Sequence, residues 1–220
     1  MAFPKILTFD CYGTLIDWKS GVLKALHSHR GVDPDAFFET WWRVDRRLTC
    51  NAPYRRYRNI LTEDFSEAFR SVGVMIAQEE AESFAHGLGD WVPFVDTSAA
   101  LAEFKRLGFK LGIVSNIDND LLDRSIAQLG VNIDIRITAE NIQSYKPAIR
   151  HFETLLETTS LDPSQVLHIA ASRFVDIDPA SKLGFRTMYV RRSEPDADHN
   201  VTPEFTVETL ADAIPILKSL

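Results

Sequence analysis

Residues 5–14 read KILTFDCYGT. The run from Lys5 to Asp10 is short and apolar, and the turn formers Gly13 and Thr14 follow at once. Such a run predicts a buried strand, and a strand that stops on a carboxylate beside a glycine marks a site. Further strand-like runs fall at residues 110–115, 133–138, 166–170 and 187–190, with helical periodicity between them. Strands alternating with helices predict an α/β fold, a Rossmann-like, mostly parallel sheet flanked by helices. Such sheets bind ligands at the carboxyl ends of their strands, where Asp10, Ser115 and Ala171 fall.

Residues from about 16 to 95 break this alternation. They are rich in Leu, Phe, Trp, Arg and Glu, show helix-period apolar positions and contain no convincing strand. Phe37, Phe38, Trp41 and Trp42 fit one helix face; Phe65, Phe69 and Val72 fit another. The block predicts an all-helical cap, 16–96, inserted after the first strand into a catalytic core made of 1–15 and 97–220.

Composition bounds the class. With 220 residues, 45% hydrophobic and 25% charged, the chain has the makeup of a globular protein rather than a disordered or collagenous one. Its longest apolar runs are strand-sized, far short of the ~20 residues of a membrane span, and the N-terminus lacks a secretory leader pattern, so a cytoplasmic location is expected. Two cysteines, Cys11 and Cys50, suggest neither a disulfide framework nor a zinc site. A net charge of −7 argues against a nucleic-acid partner. The basic stretch Tyr54-Arg55-Arg56-Tyr57-Arg58 is expected to snorkel along a helix surface. His27 and His29 are taken as surface residues, and 191–200 as a surface loop.

Four segments belong together: FDCYGTLID around Asp10, IVSNID around Ser115, SYKPA around Lys146 and HIAASRFVDIDPA around Asp176. In this order and at these strand ends they resemble the haloacid dehalogenase superfamily over essentially the whole chain. The resemblance implies a Rossmann-like core, a cap after the first strand and Asp10 as nucleophile. Most members are magnesium-dependent phosphatases, whose first motif is Asp-x-Asp; its second Asp protonates the leaving oxygen, and here that place holds Tyr12. The last phosphatase motif supplies a magnesium ligand where this chain has Ala171. Both departures suit a leaving group that needs no proton.

The first motif, Asp10-Cys11-Tyr12-Gly13-Thr14, is similar to that of the (S)-2-haloacid dehalogenase branch. That resemblance implies a hydrolase with neither metal nor cofactor, which displaces halide from a small 2-haloalkanoic acid through an aspartyl ester to give a 2-hydroxy acid. It makes Lys146 the cation that holds Asp10 ionised and Asp176 the acid that readies water, with Asp178 as rival. Ser115 binds the substrate carboxylate, and Asn116 and a cap arginine receive the halide. Arg43 fits by spacing and its Trp-Arg context, with Arg46 and Arg47 nearby. Thr14 and the amides around Tyr12 and Gly13 are further anion donors, and Trp42, Tyr57 and Phe174 supply an apolar wall.

Two positions depart from the branch. Phe152 stands where a tyrosine is common, and Ala171-Ser172-Arg173 replaces Ser-x-Asn, with Ser172 taking part of the asparagine's task. Three other readings remain: ring opening of the azetidine-2-carboxylate type, a magnesium phosphatase using Asp10, Asp176 and Asp178, and a non-catalytic binding protein on the same fold. The partner expected is a small 2-substituted carboxylate, with no nucleic acid or membrane; a homodimer is implied by analogy alone. An anionic substrate for a −7 chain requires local cations in the crevice.

Overall fold

The computed structural model describes residues 4–26, 29, 31–50, 53–192 and 201–220. Its sheet has six strands, β1 (Ile6–Phe9), β2 (Lys110–Ser115), β3 (Ile135–Thr138), β4 (Val166–Ala170), β5 (Arg186–Val190) and β6 (Phe205–Val207), in the order β3-β2-β1-β4-β5-β6 with every pair parallel. Strand order reverses between β1 and β4, and the crevice at the carboxyl ends of these two strands is where doubly wound sheets bind ligands. Every residue of β1, β4 and β5 is buried, which is why these strands show as continuous apolar runs.

Boundaries shift slightly from expectation. β1 ends at Phe9, releasing Asp10 into the loop. β3 starts two residues later than its apolar run because the Asp134 carboxylate turns back to accept the Leu111 N–H at 2.7 Å. β6, three residues long, was too short to carry a pattern.

Four helices fill the stretch after β1: α1 (Trp18–Ala25), α2 (Pro34–Thr49), α3 (Tyr57–Ser71) and α4 (Gln78–Gly87). α2 starts because Asp33 accepts the Ala36 N–H at 2.8 Å and Pro34 follows in the first turn. It buries Phe37 and Trp41 against Phe65, Phe69 and Phe84, and Phe38 against Trp18, with Phe65 and Phe84 stacked at 3.7 Å. Trp42 leaves this face and is half-buried toward the crevice. Val72 lies past the end of α3, at the turn into Gly73 (φ 80°), and is exposed.

The chain crosses between helical block and sheet on two paired segments: Phe94 N–H donates to Leu15 C=O at 3.0 Å and Asp17 N–H to Val92 C=O at 2.9 Å. The remaining helices, α5 (Thr97–Arg106), α6 (Asn119–Leu129), α7 (Ala139–Ile142), α8 (Arg150–Thr159), α9 (Asp178–Lys182) and α10 (Ala213–Ser219), flank the sheet.

The basic stretch 54–58 docks the helical block onto the core rather than snorkelling. The buried Asp118 carboxylate accepts the Tyr57 and Arg58 N–H groups at 2.9 and 3.0 Å, capping α3 from across the junction, while Arg56 pairs with Glu140 at 3.1 Å. His29 is half-buried over Phe69 and bonds Glu80; His27 lies outside the described residues. Of the expected loop 191–200, Arg192 packs over Phe94 and pairs with Asp96 at 2.9 Å, and residues 193–200 lie outside the described set. No helix of the described residues is long and apolar enough to cross a membrane.

Candidate active site

After β1 the backbone folds on itself: Leu15 and Ile16 N–H groups converge on Cys11 C=O at 2.7 and 2.9 Å, and Gly13 takes φ 92°, a conformation open to glycine. This turn carries Thr14 back beneath Asp10. Its fully buried hydroxyl donates to Asp10 Oδ2 at 3.1 Å and accepts the Ala171 N–H at 3.0 Å, tying the end of β1 to the end of β4. Thr14 thus orients Asp10 from behind. The Gly13 amide, expected as an anion donor, is engaged by Ile16 C=O at 2.9 Å.

Lys146 is 1% exposed, and its ammonium uses all three protons, on Asp10 Oδ1 at 2.9 Å, Asp176 Oδ1 at 2.6 Å and Val114 C=O at 2.8 Å. Two carboxylates in one buried place need such a cation. Burial pushes the Asp10 carboxyl up, and the pull of Lys146 does not fully offset it. Asp176 is also pushed up by burial, but Lys146 and then His168 outweigh that and hold it below the usual range. Lys146, despite burial, is raised by its two carboxylates and stays charged. The pair is therefore differentiated, with Asp10 the more basic carboxylate.

Asp176 sits in a single π-helical turn, Arg173–Ile177, wound on after β4; such turns recur at functional sites. Ser172 starts it by accepting the Val175 N–H at 3.2 Å, which leaves its hydroxyl proton for the cavity that Ser172 lines. Asp178, the rival, is buried as the first residue of α9 and lines no part of that cavity.

A cavity of about 90 Å³ opens over these groups. Core residues Asp10, Tyr12, Ser115, Asn116, Lys146 and Asp176 form its floor. Tyr12 contributes its ring; its hydroxyl points at Ser125 Oγ, 2.7 Å away, and burial pushes the phenol's pKa well up. Asn116 pairs both ends of its carboxamide with the Lys146 backbone, at 2.7 and 3.0 Å, so it first positions the lysine loop and keeps one N–H beyond that.

The roof is one face of α2: Trp42, Asp45, Arg46 and Thr49, spaced i, i+3, i+4, i+7. Arg43 is off this face by a helical step of about 100°, is exposed, and does not line the cavity. The cap arginine at the site is Arg46, held between the Trp42 and Phe174 rings at 4.5 and 4.3 Å from their centroids. Phe174 acts on the site by stacking on that guanidinium rather than by lining the cavity. Tyr57 and Trp18 close the wall, and Tyr57 donates its hydroxyl to Asp45 at 2.9 Å.

Sequence reasoning passed over three groups. Asp45 follows from the same helical spacing as Arg46, but a carboxylate in a charged stretch gives no sign of facing inward. His168 lies inside the last motif with no task that the motif implies, though a histidine in a fully buried strand is itself a signal. Thr8, its partner across the sheet, reads as any β-branched strand residue.

As a magnesium site the donor set is poor. Asp10 and Asp176 each commit an oxygen to the ammonium between them, Ala171 brings a methyl group, and the described residues hold no cluster of three His, Cys, Asp or Glu close enough to share an ion.

The haloacid dehalogenase-like hydrolase family model matches residues 4–184. (S)-2-Haloacid dehalogenase 1 of Pseudomonas sp. (strain CBS-3) is 25% identical over 204 residues, 89% of this chain and 88% of that protein. The glyceraldehyde 3-phosphate phosphatase of Methanocaldococcus jannaschii is 25% identical over 131 residues, 58% of each chain. Among solved structures, the L-2-haloacid dehalogenase from Xanthobacter autotrophicus superposes with a TM-score of 0.88 at 19% identity over 99% of both chains, a likeness of fold. The family match spans strands β1 to β4, the helical block and all four motifs, and the chain belongs to the haloacid dehalogenase-like hydrolases.

Proposed function

We propose that this hydrolase displaces the 2-substituent of a short 2-haloalkanoic acid through an ester on Asp10. An Asp10 oxygen attacks C2 in line, the O–C2 bond forms as the C–halogen bond breaks, and halide leaves with the bonding pair. Water, deprotonated by Asp176, then attacks the Asp10 carboxyl carbon; the alkyl oxygen leaves, takes that proton and departs as a 2-hydroxy acid inverted at C2. Lys146 keeps both carboxylates charged, Ser115 and Ser172 offer hydroxyls to the substrate carboxylate, and Arg46 receives the halide.

The observation that carries this reading is the Tyr12 hydroxyl, turned to Ser125 at the place where a phosphatase keeps its acid. Without an acid there, the site favours a leaving group that departs unprotonated. The matches to (S)-2-haloacid dehalogenases support it. Ring opening of a strained cyclic amino acid follows the same atoms, with the leaving nitrogen retained in the product, and Asp45 beside Arg46 gives that second reading a carboxylate for the nitrogen.

The test is one turnover of 2-chloropropionate in heavy-oxygen water with chelator present, alongside azetidine-2-carboxylate and p-nitrophenyl phosphate. Label in Asp10 with chloride release is expected. Phosphate release abolished by chelator, with no label in Asp10, overturns the proposal.

A further inference from the structure

One buried polar group is left over by this mechanism. His168 is the middle residue of β4, every neighbour along the strand is buried, and its own exposure is 0%. An imidazole in such a place is retained against the apolar side chain that would pack there, and both of its nitrogens must find partners. They do. Thr8, its register partner on β1, lies with Oγ1 3.0 Å from Nδ1, and Asp176 Oδ1 lies 3.1 Å from Nε2.

The carboxylate fixes the proton on Nε2. Asp176 is an ionised acceptor, so Nε2 carries a proton toward it, and Nδ1 bonds the Thr8 hydroxyl. Phe152 packs edge-on against the ring at 5.0 Å, at the position where the sequence departs from tyrosine. The other ionisable groups around His168 are Lys146, through their shared carboxylate, and the buried His151 on α8. His151, pushed down to about 3 chiefly by burial and then by Lys146, stays neutral across the working range.

We infer that His168 is a positioning residue for the hydrolytic step: with Lys146 it pins Asp176 Oδ1, leaving Oδ2 to take the proton of the water that attacks the Asp10 ester. Two donors from two directions stop the carboxylate turning about its own axis. They also keep it ionised when the alkylation step has removed the charge of Asp10. Displacement of the halide does not involve this carboxylate directly, so His168 acts after the ester has formed. The inference rests on the proposed ester chemistry and adds a residue and a step to it.

The test compares His168→Leu with His168→Gln, which retains an N–H donor toward Asp176. In single turnover of 2-chloropropionate, the Leu variant should form ester on the Asp10 peptide within about threefold of the wild-type rate, yet hydrolyse it at least about tenfold more slowly, so that mass spectrometry finds the ester accumulating. The acid limb of its steady-state rate should move to higher pH, since a carboxylate that loses a donor becomes harder to ionise. The Gln variant should restore most of both. Equal slowing of both steps in the two variants, or an unchanged hydrolysis rate in the Leu variant, overturns the inference.

A second arm needs no turnover. Ring-nitrogen NMR of the wild-type protein should show His168 protonated at Nε2; protonation at Nδ1 alone overturns the assignment even where both variants fail to fold. If wild-type protein forms no ester, the proposed function fails, and this arm still judges the His168–Asp176 contact.

Discussion

Lys146 Nζ stands 2.9 Å from Asp10 Oδ1, at a place where the lysine is 1% exposed and its other two protons are taken. Water cannot substitute for that ammonium, so Asp10 and Asp176 depend on one cation. Lys146→Met should leave two buried carboxylates unpaired, lower ester formation by at least about a thousandfold and cost about 3–5 kcal/mol of stability at pH 8. At lower pH the fold should recover, as Asp10 takes up a proton, while activity does not. Thermal melts and a quenched-flow ester assay across pH read the two effects; activity within tenfold of wild type would remove Lys146 from the mechanism.

The wild-type pH profile follows from the same geometry. In the proposed reaction Asp10 attacks only as a carboxylate, and burial raises its pKa above the ordinary 3.8. Ester formation should therefore fall as pH drops through a value above 3.8, whereas Asp176, held below 3.8 by Lys146 and His168, stays ionised in that window. Single-turnover rates of ester formation between pH 4 and 8 check this, and a flat profile contradicts it.

The cap arginines separate cleanly. Arg46→Ala removes the guanidinium stacked between Trp42 and Phe174 and should lower kcat/KM by about a hundredfold, about 2.7 kcal/mol of transition-state stabilisation. Arg43→Ala, on the exposed face of α2, should stay within about twofold of wild type, as surface substitutions usually do. The reverse order would place Arg43 over the crevice and the helix face assigned here on the wrong side.

These two arginines show what was legible in the chain. The strand ends, the order of motifs and the helical stretch after β1 follow from apolar runs and turn formers, which are local signals. Which of three arginines lines the cavity depends on the rotation of α2 about its axis. Burial of Trp41 and Phe37 against the α3 and α4 aromatics sets that rotation, a tertiary fact that the Trp-Arg dipeptide does not encode. His168 failed for a related reason: its strand was plain, but its partners come from β1 and from a turn eight residues on. Thr14 was easier to place, because the tight turn at Gly13 returns it toward Asp10 whatever the rest of the fold does.

Asp118 joins helical block to core. Its carboxylate is fully buried and caps α3 by accepting the Tyr57 and Arg58 N–H groups. Asp118→Ala should cost about 2 kcal/mol, a large value for a lost cap because the freed N–H groups stay covered. Since Tyr57 lines the cavity, KM should rise more than kcat falls. Denaturant melts and steady-state kinetics test both; a loss of stability with KM unchanged would make Asp118 a fold residue only.

Beneath the roof, Asp45 and Asp64 face one another, with Trp41 Nε1–H donating to Asp64 at 2.7 Å and the Tyr57 hydroxyl to Asp45. Burial is the main cause that raises both, Asp45 to about 6 and Asp64 well above its ordinary 3.8. Between pH 3.8 and about 6 these two carboxylates therefore bind more protons in the folded chain than in the unfolded one, and their contribution to stability rises as pH falls through that window. Asp64→Asn preserves an oxygen for Trp41 and removes one of the two charges. It should raise the melting temperature at pH 8 by about 4 °C, on the order of 1 kcal/mol, and this gain over wild type should shrink as pH falls from 7 to 5. A lower melting temperature at pH 8 would mean that the Asp64 charge stabilises the folded state, which the neighbouring Asp45 carboxylate argues against.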